Sequence, residues 1–218
     1  MRQFTFRDRI LKRRGTLTFL LSALCLIFSG CSFGLDITPD ENTQYVIPLA
    51  DEVSGSFAPT NLSLLVRDTE ANHLINSSKI LFSRERGTRG SYKQATWVEP
   101  PPRRFSTMLI QTLDKTNLFK NVSRSSSGVL GDVQLYTEIL EFYHDATSSP
   151  GSATVSVIAE LIDVQSLSVI SRKRFDVNLP IEEYSAAGAV EGMSKGVSKV
   201  LKDMPEWLSQ SLAGRAKN

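Results

Sequence analysis

The side chains best placed for covalent chemistry are the chain's two thiols, Cys25 and Cys31. Ser29 and Gly30 stand immediately before Cys31. Two small side chains let a processing peptidase close on the bond it cuts, and the thiol left at the new N-terminus can carry a diacylglyceryl group. Leu24 is too large to serve Cys25 in the same way. Histidine chemistry has less to stand on. His73 and His144 lie in separate segments, and neither has a Cys or a second His at metal-ligand spacing, so no metal site is expected. The serines of 123–127 and 148–149 occupy turn-like stretches without the Gly-x-Ser-x-Gly context of a nucleophile elbow. Glu138, Glu141, Glu182 and Glu183 are carboxylates that the order of residues does not gather into a cleft. Catalysis and cofactor binding therefore have no constellation to rest on.

The segment ahead of Cys31 is built to deliver that thiol. Residues 1–14 carry Arg2, Arg7, Arg9, Lys12, Arg13 and Arg14 against the single acid Asp8. An apolar run from Leu17 to Phe28 follows. As a helix it would span roughly 18 Å, short of the roughly 30 Å of a bilayer core. It reads as the h-region of an export signal covering residues 1–30, and Phe28-Ser29-Gly30-Cys31 resembles a bacterial lipobox. Gly15 and Thr16 after Arg13-Arg14 do not give the apolar continuation of twin-arginine export, so a general secretory route is expected.

Removing residues 1–30 takes six of the 25 basic residues and one of the 23 acidic, leaving 19 against 22. The mature chain, at about −3, has no overall electrostatic reason to bind nucleic acid. With Cys25 discarded and Cys31 acylated, no internal disulfide can form, so stability must come from a packed core. Residues 31–44 are polar, interrupted by Pro39, and suit a lipid-anchored tether. Residues 45–213 are long enough for one core and short for two.

Within that domain, Tyr45–Leu49 and Asn61–Arg67 read as short strands, with Leu62, Leu64 and Val66 on one face. Lys79–Ser83 and Tyr92–Trp97 form a hairpin around Arg84 to Gly90. Pro100 and Pro101 can open a helix, because the first turn donates no intrahelical bond, and Phe105, Met108, Leu109, Thr112 and Leu113 recur at helical spacing up to Asn117. Asp132–Tyr143, Thr154–Asp163 and Val169–Leu179 then alternate as strands, the last two joined by a tight turn. Tyr136, Leu140, Phe142, Ile158 and Ile162 make the opposite face partly apolar, which implies a sheet covered on both sides. Ala186, Val190, Met193, Val197, Val200, Met204 and Leu208 mark the buried side of a terminal helix, with a kink or restart expected at Pro205. The fold class is one α/β domain: a mixed, largely antiparallel β-sheet with at least two long helices packed on it.

Three features admit a structural or a functional reading. Trp97 is an apolar contact for lipid or partner, or a packing anchor before a proline-opened helix. Arg84, Arg86, Arg89, Lys93, Arg103 and Arg104 form a basic cluster for headgroups or an acidic partner, or a solvated hairpin and helix start. Gly188, Gly192 and Gly196 recur every fourth residue at a cost of roughly 1 kcal/mol each inside a helix. Close approach to another helix, such as one of a neighbouring copy in a homo-oligomer, or packing on a strand or loop of the same domain would compensate.

Cys31, the Tyr45–Leu49 strand, Ile80 to Ser83, Trp97-Val98-Glu99-Pro100-Pro101 opening a helix, Leu118 to Val122 and the Asp132–Phe142 strand together resemble the PqiC-like auxiliary lipoprotein component of ABC-type transport systems that work with Mce-domain proteins. The resemblance spans nearly all of the mature chain and implies a non-catalytic component of a system that moves phospholipid or related apolar molecules between inner and outer membranes. Its implied partners are an Mce-domain protein, a permease and an ATPase. No Gly-x-x-x-x-Gly-Lys-Ser/Thr phosphate loop occurs in the chain itself. Ser32, where an Asp would retain a lipoprotein at the inner membrane, points to the periplasmic leaflet of the outer membrane. The alternative is a structural or regulatory envelope lipoprotein that binds a cell-wall synthase or a secretion complex. A periplasmic hydrolase would require a pocket of converging acid, base or nucleophile.

Overall fold

One 13-residue strand organises everything around it. The computed structural model describes residues 42–49 and 56–215, with side chains to residue 213. The export signal, Cys31 and the greater part of the tether lie outside them. In chain order the elements are β1 (Thr43–Tyr45), β2 (Ser63–Val66), β3 (Glu70–Ala71), β4 (Lys79–Ser83), β5 (Gly90–Trp97), α1 (Pro101–Lys115), β6 (Asn121–Arg124), β7 (Val133–Asp145), β8 (Ser152–Asp163), β9 (Ser168–Pro180) and α2 (Ala186–Arg215). One edge of β7 pairs antiparallel with β8 along its whole length, and β8 pairs antiparallel with β9. The other edge is shared in turn by β2 near Val133, β3 near Glu138 and β4 near His144, all parallel to it. Behind β2 lies β6, and behind β4 lie β5 and then β1. The sheet therefore has two ends: one where β7 starts, beside β6 and the β8–β9 turn, and one where β7 finishes, beside the β4–β5 hairpin.

Both helices pack on one face. Gly192 and Gly196 of α2 rest on Ala153 and Val155 of β8. Ser106 of α1 accepts the Thr69 N–H at 2.7 Å, and Thr69 Oγ1 meets Thr137 of β7 at 2.8 Å on that same face. Buried hydroxyls that satisfy one another avoid the cost of unpaired polar groups and fix α1 against the sheet. The rest of the interface is apolar: Phe105, Met108, Leu109 and Leu113 meet Met193, Val197, Val200 and Leu208 in one core with Leu135, Val157 and Leu161. Among the described residues no helix lies on the opposite face, which is half-buried along β7 and β8. Among those residues the sheet is covered by helices on one side, where both sides were expected.

Three local readings also change. A bulge between Ile139 and Glu141 shifts the parity of β7, so Phe142 turns into the core instead of lying with Tyr136 on the other face. β1 stops at Tyr45, and residues 46–49 run on without a ladder. Pro48 has no N–H to give, and the Ile47 carbonyl is taken by Arg104 Nε at 2.8 Å. Finally, α2 does not restart at Pro205 but continues through it to Arg215. Met204 and Trp207 on either side are both buried, so tertiary packing holds the turn that a proline would otherwise open.

Candidate functional site

Trp97-Val98-Glu99-Pro100-Pro101 forms the joint between sheet and helix. Trp97 donates its backbone N–H to Ser78 O at 2.7 Å, and its ring, 2% exposed, lies 5.8 Å from that of Phe142 at 51°. Val98 N–H reaches Tyr45 O at 2.9 Å, closing the β1–β5 ladder. Pro100 caps α1 in an extended conformation, and its carbonyl accepts from Arg103 and Arg104 N–H at 3.1 and 3.2 Å. Pro101 and Pro102 fill the first helical positions and are buried. Glu99 sits 3.8 Å from Arg103 and 4.0 Å from Arg104. Trp97 and the prolines are thus consumed in packing, and Arg103 and Arg104 belong to this joint rather than to the β4–β5 hairpin.

The hairpin arginines lie on aromatic faces: Arg84 stands 4.9 Å over Phe82 and Arg89 3.7 Å over Tyr143. A polar hollow beneath them, of about 460 Å³, includes Arg86, Glu141, Asp145 and Thr147. Hydrogen bonds from Thr147 hold the Asp145 carboxyl below its ordinary range, with the Arg89 charge adding to the effect. Glu182 and Glu183 are exposed in the β9–α2 connection. This end of the sheet therefore mixes both signs of charge.

The same end buries His144. Its Nδ1 lies 2.8 Å from the Tyr92 hydroxyl, its Nε2 2.9 Å from the Pro150 carbonyl, and its ring 5.3 Å edge-on from Tyr184. A carbonyl only accepts, so Nε2 carries the proton and Nδ1 accepts from Tyr92. Burial pushes the Tyr92 hydroxyl up to about 12, with Tyr184 adding and Arg84 opposing. Both imidazole nitrogens are committed to neighbours within the domain. His73 is exposed in the turn after β3, and no group of three metal-ligating side chains occurs among the described residues. Glu138 lies in the middle of β7, where its carboxylate accepts from the Tyr136 hydroxyl at 3.2 Å. The Ser123–Ser127 stretch ends β6 and forms a short 3-10 turn.

The glycines of α2 face their own domain. A Cβ on Gly192 would stand 2.6 Å from Ile181 and 2.8 Å from Ala153, and one on Gly196 would stand 2.8 Å from Val155. A Cβ on Gly188 would strike the Glu183 carbonyl. Close approach of α2 to β8 and to the β9–α2 connection is what their missing side chains permit.

A family model described as the ABC-type transport auxiliary lipoprotein component matches residues 45–204. The chain belongs to that family. Within this auxiliary lipoprotein family the match runs from the last residue of β1 into α2, taking in the Trp97 joint, both helices and the β7–β9 meander. A crystal structure of a Xanthomonas campestris protein of family DUF330 superposes with a TM-score of 0.73 at 19% identity, covering 81% of this chain and 100% of that one. The crystal structure of an uncharacterized protein follows at 0.58 and 12%, covering 71% and 96%. At these identities the likeness shows a shared fold. No protein of curated function matches the sequence. Among the described residues no helix of this auxiliary lipoprotein is long and apolar enough to cross a membrane.

Sequence reasoning passed over one set of side chains. Val129, Leu130, Leu167 and Val169 are exposed large hydrophobics at the end where β7 begins. The signal was present in composition: neither 125–131 nor 164–171 contains an ionisable residue. An apolar hollow of about 500 Å³ between Pro59, Thr60, Leu62, Leu118 and Leu212 opens at this end too.

Proposed function

We propose that this auxiliary lipoprotein is a non-catalytic component of an Mce-type ABC transport system, held by lipid on Cys31 at the periplasmic leaflet of the outer membrane. The observation that carries the reading is the family match over residues 45–204, preceded within a short polar stretch by a lipobox cysteine. An Mce-domain protein, a permease and an ATPase would supply the substrate path and the energy. This chain would dock on them and complete the path of phospholipid or related apolar molecules at one membrane. Its own chemistry is confined to the thioether and acyl groups on Cys31. Trp97, Pro100, Pro101, Gly188, Gly192 and Gly196 would serve by holding the docking domain in shape.

The test is mass spectrometry of membrane-extracted protein, wild type beside Cys31→Ala, with crosslinked partners identified from the same preparation. A triacylated N-terminus at Cys31 and an Mce-domain partner are expected. An unmodified wild-type chain would overturn the anchor. A lipidated chain crosslinked only to a cell-wall synthase or a secretion complex would keep the anchor and overturn the transport assignment.

A further inference from the structure

Two loops far apart in sequence meet at one end of the sheet. Asp132, which ends the 128–131 loop, accepts the Val164 N–H at 3.1 Å, and Val133 pairs with Asp163 while Ile162 pairs with Val169. The loop before β7 and the turn between β8 and β9 therefore share a tip. From it project Leu130, 95% exposed, and Leu167, 81% exposed, beside the half-exposed Val129 and Val169. Single exposed leucines are ordinary, but four large apolar side chains within residues 125–131 and 164–171, two adjoining stretches that hold no ionisable group, are not.

The backbone adds a second observation. Leu167 adopts a left-handed conformation at φ 54°. Gly or Asn takes that conformation at less cost, and either would also spare the exposure of an isobutyl group. Folding gains nothing from leucine here, whereas a contact made outside the domain would.

We infer that this tip inserts its leucines into the hydrocarbon margin of a lipid bilayer. The inference rests on the lipid-anchored reading above. Three features favour a fluid occupant over a protein. The side chains protrude from convex loop ends instead of lining a groove. Residues 125–131 and 164–171 carry no charge to be desolvated, and the carboxylates at their bases, Asp132 and Asp163, are held by the N–H groups of Ser63, Gln165 and Ser166. Behind them, and behind the acids Asp132 and Asp163, β9 carries a row of bases, Arg172 paired with Glu160, Lys173 over the Phe175 ring and Arg174 paired with Asp176. It lies three to five residues from Val169, about 10–17 Å back, where phosphate headgroups would stand. The anchor is within reach of the same bilayer. Residues 32–42, fully extended, span about 36–40 Å. The pairings Thr43–Ala95, Lys79–Thr96 and Phe82–His144 put Thr43 roughly level with Glu141, eight residues or about 27 Å from Val133.

The experiment uses the lipidated protein, whose mature chain would carry no other free thiol, reconstituted in phosphatidylethanolamine–phosphatidylglycerol vesicles. A polarity-sensitive fluorophore is placed at Leu130→Cys, Leu167→Cys or, at the opposite end, Thr88→Cys. Nitroxide groups on the lipid acyl chains should quench both tip labels and leave the Thr88 label bright. A label at Gln165→Cys should be quenched in the wild-type background and released in Leu130→Ser/Leu167→Asn, with folding preserved because both leucines are exposed. Tip labels that remain open to aqueous iodide on vesicles would overturn the inference. So would shielding that arises only with added transport partners or with rising protein concentration, since either would make the occupant a protein. Mass spectrometry of the same samples separates this inference from the anchor: a lipidated chain with aqueous tips refutes the insertion alone, and an unlipidated chain whose tips are still quenched refutes the anchor alone.

Discussion

The two ends of the sheet solve opposite problems. Where β7 finishes, a histidine is buried with both nitrogens hydrogen-bonded, a half-buried tyrosine packs against it, and arginines stand over aromatic rings. Where β7 begins, leucines stand in water and one of them holds a backbone angle suited to another residue. The first end has its buried Ser83 and His144 hydrogen-bonded within the domain, so its unusual residues are explained by packing. The second has apolar groups that nothing among the described residues covers. Chemically suggestive residues can thus be structural, while residues with no chemistry carry the signal of an external contact.

The largest effect that would sharpen this contrast is at His144. His144→Ala leaves the Tyr92 hydroxyl and the Pro150 carbonyl without their partner and opens a cavity, so denaturant unfolding should show a loss of about 2–4 kcal/mol. A loss below about 0.5 kcal/mol would put the two ends on the same footing. Next is Gly192→Ala. The helix gains roughly 1 kcal/mol of propensity, but the new methyl meets Ile181 and Ala153 at under 3 Å. Overpacking of this kind costs typically 1–3 kcal/mol, so a net loss of about 1 kcal/mol is expected in the urea midpoint.

Alkaline titration gives a smaller, directional test. Tyr92 stays protonated in the folded chain up to about 12, whereas an unfolded tyrosine ionises near its ordinary value of 10.0. The stability it contributes is therefore whole below about pH 10 and is lost as pH rises toward 12. Tyr92→Phe should flatten that loss, which unfolding curves taken between those pH values would reveal. At the other end the sign reverses. Leu167→Asn should stabilise the isolated protein by about 0.5–1 kcal/mol by relieving its φ, seen as a higher midpoint. Leu130→Ser should change stability by less than about 0.5 kcal/mol, and a larger fall would mean that this leucine packs within the domain.

Much of the fold was legible because it is written in local periodicity. The Pro100–Pro101 start of α1, the spacing of Phe105, Met108, Leu109 and Leu113, the three long strands and the buried stripe of α2 each depend on residues within a few turns of one another. The Trp97 joint was visible as a motif, and its role in packing followed from contacts with Phe142, Ser78 and Tyr45 that no spacing encodes. Phe142 was assigned to the wrong face because an alternating count runs straight through a bulge. Pro205 predicts a kink or a restart, and the helix, buried on both sides of it, does not restart there.

The sequence alone determined the elements and their apolar faces, since backbone geometry and side-chain period act over short range. Only the tertiary structure decided the rest: that Phe142 turns inward, that Gly192 and Gly196 lie on β8, and that His144 is closed in by Tyr92 and Pro150. It also brought Leu130 and Leu167 to one tip although 37 residues separate them. Each of these depends on register between distant strands, and register is set by the pairing of the whole sheet rather than by any one segment.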